Sequence, residues 1–364
     1  MAIKSNARKV AVGLSGGVDS SVAAALLQDQ GYDVSGLTME IFDSSVPLVE
    51  SARHACYGPG EKEDVEKAAA LCASLGIPFH VVDLRAEFKK NVLTYFRKEY
   101  LAGRTPNPCI ICNYRLKFGF LLKKAREAGI EFDYFATGHY ARITESGGRH
   151  FLKKAADPTK DQTYFLYGLT NDQLAATLFP LGELTKERVR ELARGYGLET
   201  AGAPESQDFI AGGDYSALFN LDEIKKGEIC DKDGRVLGQH RGIIHYTIGQ
   251  RRGLGLAADR PLYVIQVDSE NNRIVVGDKD LLFSDGLIAG DLNLLMVENL
   301  NRPHRVKAKI RLSQKEVEAD LIPLGNREAR VMFKEPQIAV TPGQSVVFYK
   351  QDIVFGGGII EKAI

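Results

Sequence analysis

Two stretches of the chain carry residue types and spacings that could do chemistry. The first is Gly13-Leu14-Ser15-Gly16-Gly17-Val18-Asp19-Ser20-Ser21. Its glycines let the backbone turn tightly and aim N–H groups at an anion, and a helix starting behind it would add its dipole. Ser15, Ser20 and Ser21 can donate hydroxyls to phosphate, and Asp19 could hold Mg²⁺ beside them. The lysine and spacing of a Walker loop are absent, and so is GxGxxG. The bland alternative is a Gly-Ser turn that only caps a helix. The second stretch is Thr105-Pro106-Asn107-Pro108-Cys109-Ile110-Ile111-Cys112-Asn113. The chain has five cysteines, an odd number, so a CxxC pair points to catalysis or metal binding rather than to disulfides. Cys112 is expected to begin a helix whose dipole would lower its thiol pKa.

The elements that must position these residues alternate β-branched runs with amphipathic helical periods, which reads as parallel α/β. A strand over 9–14 leads into the glycine loop and a helix over 20–30. Further strands are expected at 33–41, 79–84 and 133–137, with helices at 62–75, 86–100, 113–127, 170–177 and 186–197. Prolines 106 and 108 forbid a helix through the loop before Cys109. Beyond about residue 205 short β-rich runs take over, at 243–248, 262–267, 273–276, 305–312, 329–333, 345–349 and 353–360. Turn residues at this spacing suggest small barrels. The expected fold is a Rossmann-like parallel sheet domain over 1–205, followed by two small β-rich, barrel-like modules at 206–283 and 284–364.

A length of 364 residues suits two or three domains, and 44% hydrophobic residues can fill their cores. No run of eighteen apolar residues occurs, and residues 1–9 lack the pattern of a signal peptide, so a cytoplasmic protein without a membrane span is expected. Lys plus Arg equals Asp plus Glu at 47 each. Zero net charge argues against a general nucleic-acid coat protein but leaves room for local patches. Arg302, Arg305, Lys307, Lys309, Arg311 and Lys315 run with no acid between them. From 305 to 311 the charges fall on every second residue, so a strand would place them on one face. Such a stripe suits a phosphate backbone, although a charge run is more often a solvated face. Arg251-Arg252 and Lys153-Lys154 are weaker candidates.

The loop Ser15–Ser20, SGGVDS, resembles the PP-loop of the ATP pyrophosphatases, which cleave ATP between its α- and β-phosphates. Within that superfamily the chain is similar over nearly its whole length to the tRNA-specific 2-thiouridylases. The similarity rests on five stretches: the CxxC loop with Leu116-Lys117-Phe118; Ala136-Thr137-Gly138-His139-Tyr140-Ala141; Lys160-Asp161-Gln162 with Tyr164-Phe165-Leu166; residues 242–255; and Pro342-Gly343-Gln344 with Gly356-Gly357-Gly358. The resemblance implies ATP-dependent adenylation of the O2 of a tRNA wobble uridine, followed by sulfur insertion. It implies ATP, with Mg²⁺, at Gly13, Leu14, Ser15, Gly16, Gly17, Val18, Asp19, Ser20, Ser21, Met39 and Gly138. Cys112, Cys109 and Asp19 would be catalytic. Asn107, Pro108, His139, Lys160, Asp161, Gln162, Arg311, Leu312 and Gln344 would touch tRNA. The implied partners are tRNA and a sulfur donor: a sulfur-carrier protein, a cysteine desulfurase or free sulfide.

One departure stands out. Family members carry a second catalytic cysteine in the stretch matching residues 204–215, and here that stretch has none. Cys56, in a Gly-Pro loop after the second strand, should project from the same carboxyl edge of the sheet as the phosphate loop. Cys56, Cys109 and Cys112 would suit a 4Fe–4S cluster with one open iron, as in some other tRNA-thiolating PP-loop enzymes. The alternatives are a Cys109–Cys112 persulfide relay and a structural zinc, which prefers four ligands. Cys72 is expected in a helix core and Cys230 at a strand end. Two competing functions remain open, a PP-loop enzyme that amidates a carboxylate and a non-catalytic tRNA-binding protein.

Overall fold

The run Lys9–Gly13 is apolar from Val10 to Val12, as a strand covered on both faces must be, and it forms the central strand β1. The computed structural model describes residues 7–44, 46, 48, 55–198, 208–210 and 215–364. They divide into one unit of residues 1–91, 109–214 and 352–354 and a second of residues 92–108, 215–351 and 355–364. Residues 1–6, 204–207 and 211–214, on which some of the sequence expectations fall, lie outside the described set.

In the first unit β1 is followed by helix α1 (Val18–Asp29), β2 (Asp33–Glu40), β3 (Ala55–Tyr57), α2 (Glu61–Leu75), β4 (Phe79–Asp83) and β5 (Tyr134–Thr137). A hairpin, β6 (Ala141–Ser146) and β7 (Arg149–Lys154), precedes the short β8 (Thr177–Leu178). The sheet is parallel with order β4-β2-β1-β5-β8, so the chain reverses direction of winding at β1. The carboxyl ends flanking that switch point are where such sheets bind ligands. Gly13 is in register with Leu37 on one side and Thr137 on the other. Val10, Val12, Val22, Ala23, Ala24 and Leu27 build the core with Val189 and Ala193 of the helix Lys186–Gly195. Cys72 is buried there as expected, against Gly36, and burial pushes its thiol up to about 11.

The β6–β7 hairpin was not expected. Its signal was Gly147-Gly148, both at positive φ (58° and 74°), the pattern of a two-residue hairpin turn. The expected helix over 86–100 is present as three successive pieces, Arg85–Phe88, the π-helical Lys89–Leu93 and Thr94–Leu101.

The second unit contains a four-stranded sheet of order β11-β10-β13-β12, from β10 (Gly227–Asp231), β11 (Val236–His240), β12 (Tyr263–Asp268) and β13 (Arg273–Gly277). The expected strand at 243–248 is instead a 3₁₀ turn, Ile243–His245. Gly242 at φ 130° and Gly249 at φ 86° bend the chain on either side, and Tyr246 N bonds back to Ile243 O. The last six strands, β14 (Phe283–Leu294), β15 (His304–Lys309), β16 (Val317–Gly325), β17 (Glu328–Ile338), β18 (Ser345–Lys350) and β19 (Ile353–Ala363), close through a β14–β19 pairing into a barrel. Along β15 Val306 and Ala308 are buried while Arg305 and Lys307 are exposed. The basic stripe therefore exists, but the strand ends at Lys309 and Arg311 lies beyond it. Among the described residues no helix is long and apolar enough to cross a membrane.

Candidate phosphate loop and cysteine site

Gly17 stands at the cap position of α1 with extended backbone, and no side chain caps the helix. The first-turn N–H groups of a helix have no partner within it and suit an anion. The Ser20 and Ser21 hydroxyls both donate to the Gly17 carbonyl at 3.0 Å, and Ser15 N donates to Ser20 Oγ at 3.3 Å. Two of the three serines thus knit the loop together, while Ser15 is exposed. Gly16 is left-handed (φ 72°) and lies close to the backbone of Asp64. Leu14 and Val18 are buried, and Leu14 is tied to β2 through Leu37 O and Thr38 Oγ1. Met39, half-buried, lies in register with Val82. Gly138 follows β5, and a Cβ there would sit 2.6 Å from Ser20 N and 2.7 Å from Asp19 C. Backbone packs on backbone at this point, so the residue must be glycine.

Asp19 is already occupied. Its carboxylate accepts Lys186 Nζ on both oxygens, at 2.7 and 2.8 Å, and the Tyr140 hydroxyl at 2.8 Å. The Lys186 side chain is 8% exposed, and its backbone N–H donates to Asp157 Oδ2. Sequence reasoning missed Lys186, which reads as one more charge at the start of an amphipathic helix. A carboxylate neutralised by a buried ammonium is a poor Mg²⁺ ligand, so Asp19 is better placed to anchor α1 and Lys186 than to hold a metal.

The helix carrying the cysteines begins at Pro108, which suits a first helical position. Cys109 lies in that first turn, whereas Cys112 opens the π-helical stretch Cys112–Phe120. The expectation that Cys112 begins the helix and is acidified by its dipole is therefore corrected. Burial pushes Cys109 up to about 12 and Cys112 up to about 11, although Lys117 pulls both the other way. For both thiols desolvation is the largest cause, and it acts against the thiolate. Cys56 is the exposed middle residue of β3, which pairs in parallel with β9 (Asp208–Ile210). β9 is part of the stretch 204–215, which contains no cysteine. A charge on Cys56 would raise both other thiols. Among the described residues, however, no three Cys, His, Asp or Glu side chains gather to hold a metal ion. As placed, the cysteines are not a ligand set for an iron–sulfur cluster or for zinc. Asn113, 3% exposed, donates to Phe165 O at 3.1 Å, and its Oδ1 has no hydrogen-bond partner among the described residues.

The residues expected at tRNA are placed in different settings. Asn107 is half-buried and Pro108 buried. His139 Nδ1 shares a 2.8 Å hydrogen bond with Thr137 Oγ1. Asp161 accepts Ala155 N and Thr163 Oγ1, and Gln162 Oε1 accepts Tyr140 N, so the turn holding half-buried Lys160 is fastened to the end of β5. Arg311 donates to Ala339 O and Thr341 Oγ1 at 2.7 and 2.8 Å. Gln344 donates to Thr105 O. Leu312 is 43% exposed.

Comparison with known proteins agrees with this arrangement. Residues 8–211 match the tRNA methyl transferase HUP domain, 219–278 the tRNA methyl transferase PRC-barrel domain and 284–360 the aminomethyltransferase beta-barrel domain. The chain is 50% identical to the tRNA-specific 2-thiouridylase MnmA of Acetivibrio thermocellus, covering 97% of this chain and 99% of the relative. It is 49% identical to MnmA 2 of a Thermoanaerobacter species and 48% identical to MnmA of Carboxydothermus hydrogenoformans, each over 98% of both chains. With half its residues shared from end to end, and with the glycine loop, Cys56, Cys109 and Cys112 in one unit, the chain belongs to the tRNA-specific 2-thiouridylase family.

Proposed function

We propose that the chain is a tRNA-uridine 2-sulfurtransferase. The observation that carries this reading is the near-full-length identity of about half the residues to proteins of that name. ATP lies across residues 13–21 with its phosphates at the uncapped start of α1, close to Lys186. Mg²⁺ travels with the phosphates, as it does in most nucleotide sites, rather than on Asp19. The wobble uridine leaves its stack at a cost of a few kcal/mol and enters beside Cys112. Its O2 attacks the α-phosphorus and pyrophosphate departs, which turns a poor leaving group into AMP.

Sulfur then arrives as a persulfide on one cysteine, loaded when its thiolate takes the terminal sulfane sulfur of a donor protein's persulfide and releases that donor's thiol. The terminal sulfur attacks C2 and expels AMP. A second thiolate takes the inner sulfur, forming a disulfide and releasing 2-thiouridine, and a cellular thiol reductant restores the pair. Cys109 and Cys112 are the candidates for these two roles. A high thiol pKa is no obstacle to a persulfide carrier, since the persulfide is the more acidic species. No step is routed through a 4Fe–4S cluster, because the three cysteines do not gather as ligands. The division into 1–205, 206–283 and 284–364, and a cytoplasmic site of action, go with this reading.

The test incubates the purified chain with ATP, Mg²⁺, unmodified tRNA and a persulfide donor, and measures 2-thiouridine together with AMP. One thiolation per AMP, abolished in Cys112→Ser, is the expected result. AMP formed without thiolated tRNA, or a carboxylate amidated in its place, would overturn the reading. Anaerobic protein containing about four irons, bleached in Cys56→Ala, would replace the cysteine relay with a cluster.

A further inference from the structure

Four residues, Gly103 to Pro106, lead into Asn107-Pro108-Cys109. They form no helix or strand, and prolines 106 and 108 supply no N–H, so the segment cannot satisfy its own carbonyls by local turns. It is fastened from outside instead. Gly103, left-handed at φ 73°, faces the Val267 carbonyl, which a Cβ would meet at 3.0 Å. Arg104 Nε donates to Glu99 at 2.7 Å, its Nη1 to Glu361 at 2.9 Å and its Nη2 to Ile360 O at 3.3 Å. Thr105 Oγ1 lies 3.1 Å from Thr247 Oγ1.

The tightest hold comes from the turn between β17 and β18. Thr105 N donates to Pro342 O at 2.9 Å, and Gln344 Nε2 donates to Thr105 O at 2.9 Å and to Pro106 O at 3.3 Å. Gly343, at φ 88°, lies so close that a Cβ would stand 2.9–3.0 Å from Thr105 N, C and O. The turn is itself pinned to β19 by Gly343 N to Ile360 O and Ile360 N to Gln344 O, both 2.8 Å.

We propose that the Pro342-Gly343-Gln344 turn is a positioning device for the cysteine loop, in which Gln344 acts through the Thr105 and Pro106 carbonyls rather than by touching tRNA. The resemblance implies a tRNA contact for Gln344, yet its amide N–H₂ is already engaged with two backbone oxygens. A rigid barrel holds the turn, the turn holds the backbone three residues before Cys109, and a misplacement of about 1 Å at a reacting group costs on the order of 10²-fold in rate. The kinetic consequence rests on the function proposed above, whereas the structural consequence does not.

The experiment compares wild type with Gln344→Glu, which keeps the shape and removes the donor, and with Gly343→Ala. Three quantities are read: kcat and KM for tRNA thiolation, tRNA Kd by filter binding, and the rate at which iodoacetamide labels each cysteine in the free protein. Expected are a 10- to 100-fold lower kcat, a tRNA KM and Kd within about twofold of wild type, and several-fold faster labelling of Cys109 and Cys112 with Cys56 unchanged. A loss confined to KM and Kd would make Gln344 a tRNA contact and overturn the proposal, as would unchanged kcat and labelling. Should both variants unfold in thermal melts, amide exchange in the wild type decides: the Thr105 N–H must exchange slowly, and exchange at the rate of an open loop overturns the clamp. If the wild type thiolates no tRNA, the proposed function fails, while labelling and exchange still judge the clamp.

Discussion

His139 follows the strand that ends at the phosphate loop, where a histidine would ordinarily change charge near neutral pH. Burial, with a smaller contribution from Lys117, holds it down to about 3. Its ring lies against Phe118 and Phe179, so the neutral form is the one the site is built around. Above pH 6.5 the ring is neutral whether folded or unfolded and adds no pH dependence. Between 6.5 and 3 the unfolded chain binds a proton that the folded chain refuses, so stability falls as pH falls. From pH 6.5 to 5 this residue should account for a loss of about 1–2 kcal/mol. Urea melts of wild type and His139→Phe across that range should differ in slope by that amount, and parallel slopes would mean the ring is solvated. Residues of this kind were only partly legible. The glycine loop and the CxxC pair declare themselves by spacing. The dipole argument for Cys112 failed because it weighs one favourable effect, and burial, invisible in a single sequence, is the larger one. Lys186 was illegible because its partner Asp19 stands 167 positions away.

The parallel strands were readable as elements because a strand buried on both faces must be apolar for its whole length. The hairpin β6–β7 and the strands β11, β14 and β16 went unread, and β10 was read only as a strand end at Cys230, since their half-exposed residues alternate with polar ones and resemble loop. The π-helical stretch after Cys112 has no local signature at all, because its wider turn is stabilised by a neighbour. Gln173 Nε2 donates to Phe118 O at 2.8 Å. The same side chain accepts Thr170 N through its Oε1, while the backbone N–H of Gln173 donates to Thr170 Oγ1, closing a capping box on the helix Asn171–Ala175. Gln173→Ala therefore loses one half of the box and the support, at about 2 kcal/mol, whereas Thr170→Ala loses the other half of the box alone, at about 1 kcal/mol. Denaturation midpoints of the two variants separate the contributions, and equal costs would show that the bond to Phe118 adds nothing.

A molecule with no net charge must bind a polyanion through local fields, and the barrel's basic stripe is the clearest one. The strand register qualifies it. Arg305 stands opposite Asp320 and Lys307 opposite Glu318, and Lys334 bonds to Asp320 at 2.6 Å. Cross-strand pairs of opposite charge are worth less than about 1 kcal/mol, but they reduce the potential that a phosphate meets. Arg311, which the alternation adds to the stripe, is turned to Ala339 and Thr341 and contributes little. If this face contacts tRNA, each cation that neutralises one phosphate contributes about 0.7–0.9 to the slope of log K against log salt. Replacing Arg305 and Lys307 with alanine would remove about two units were both unopposed. With an acid opposite each, a fall of about one unit is the expected outcome of filter binding between 50 and 200 mM salt. A slope unchanged in the double variant would assign the stripe to solvent and leave tRNA binding to the first unit, and a fall of two would mean the cross-strand acids turn away once tRNA arrives.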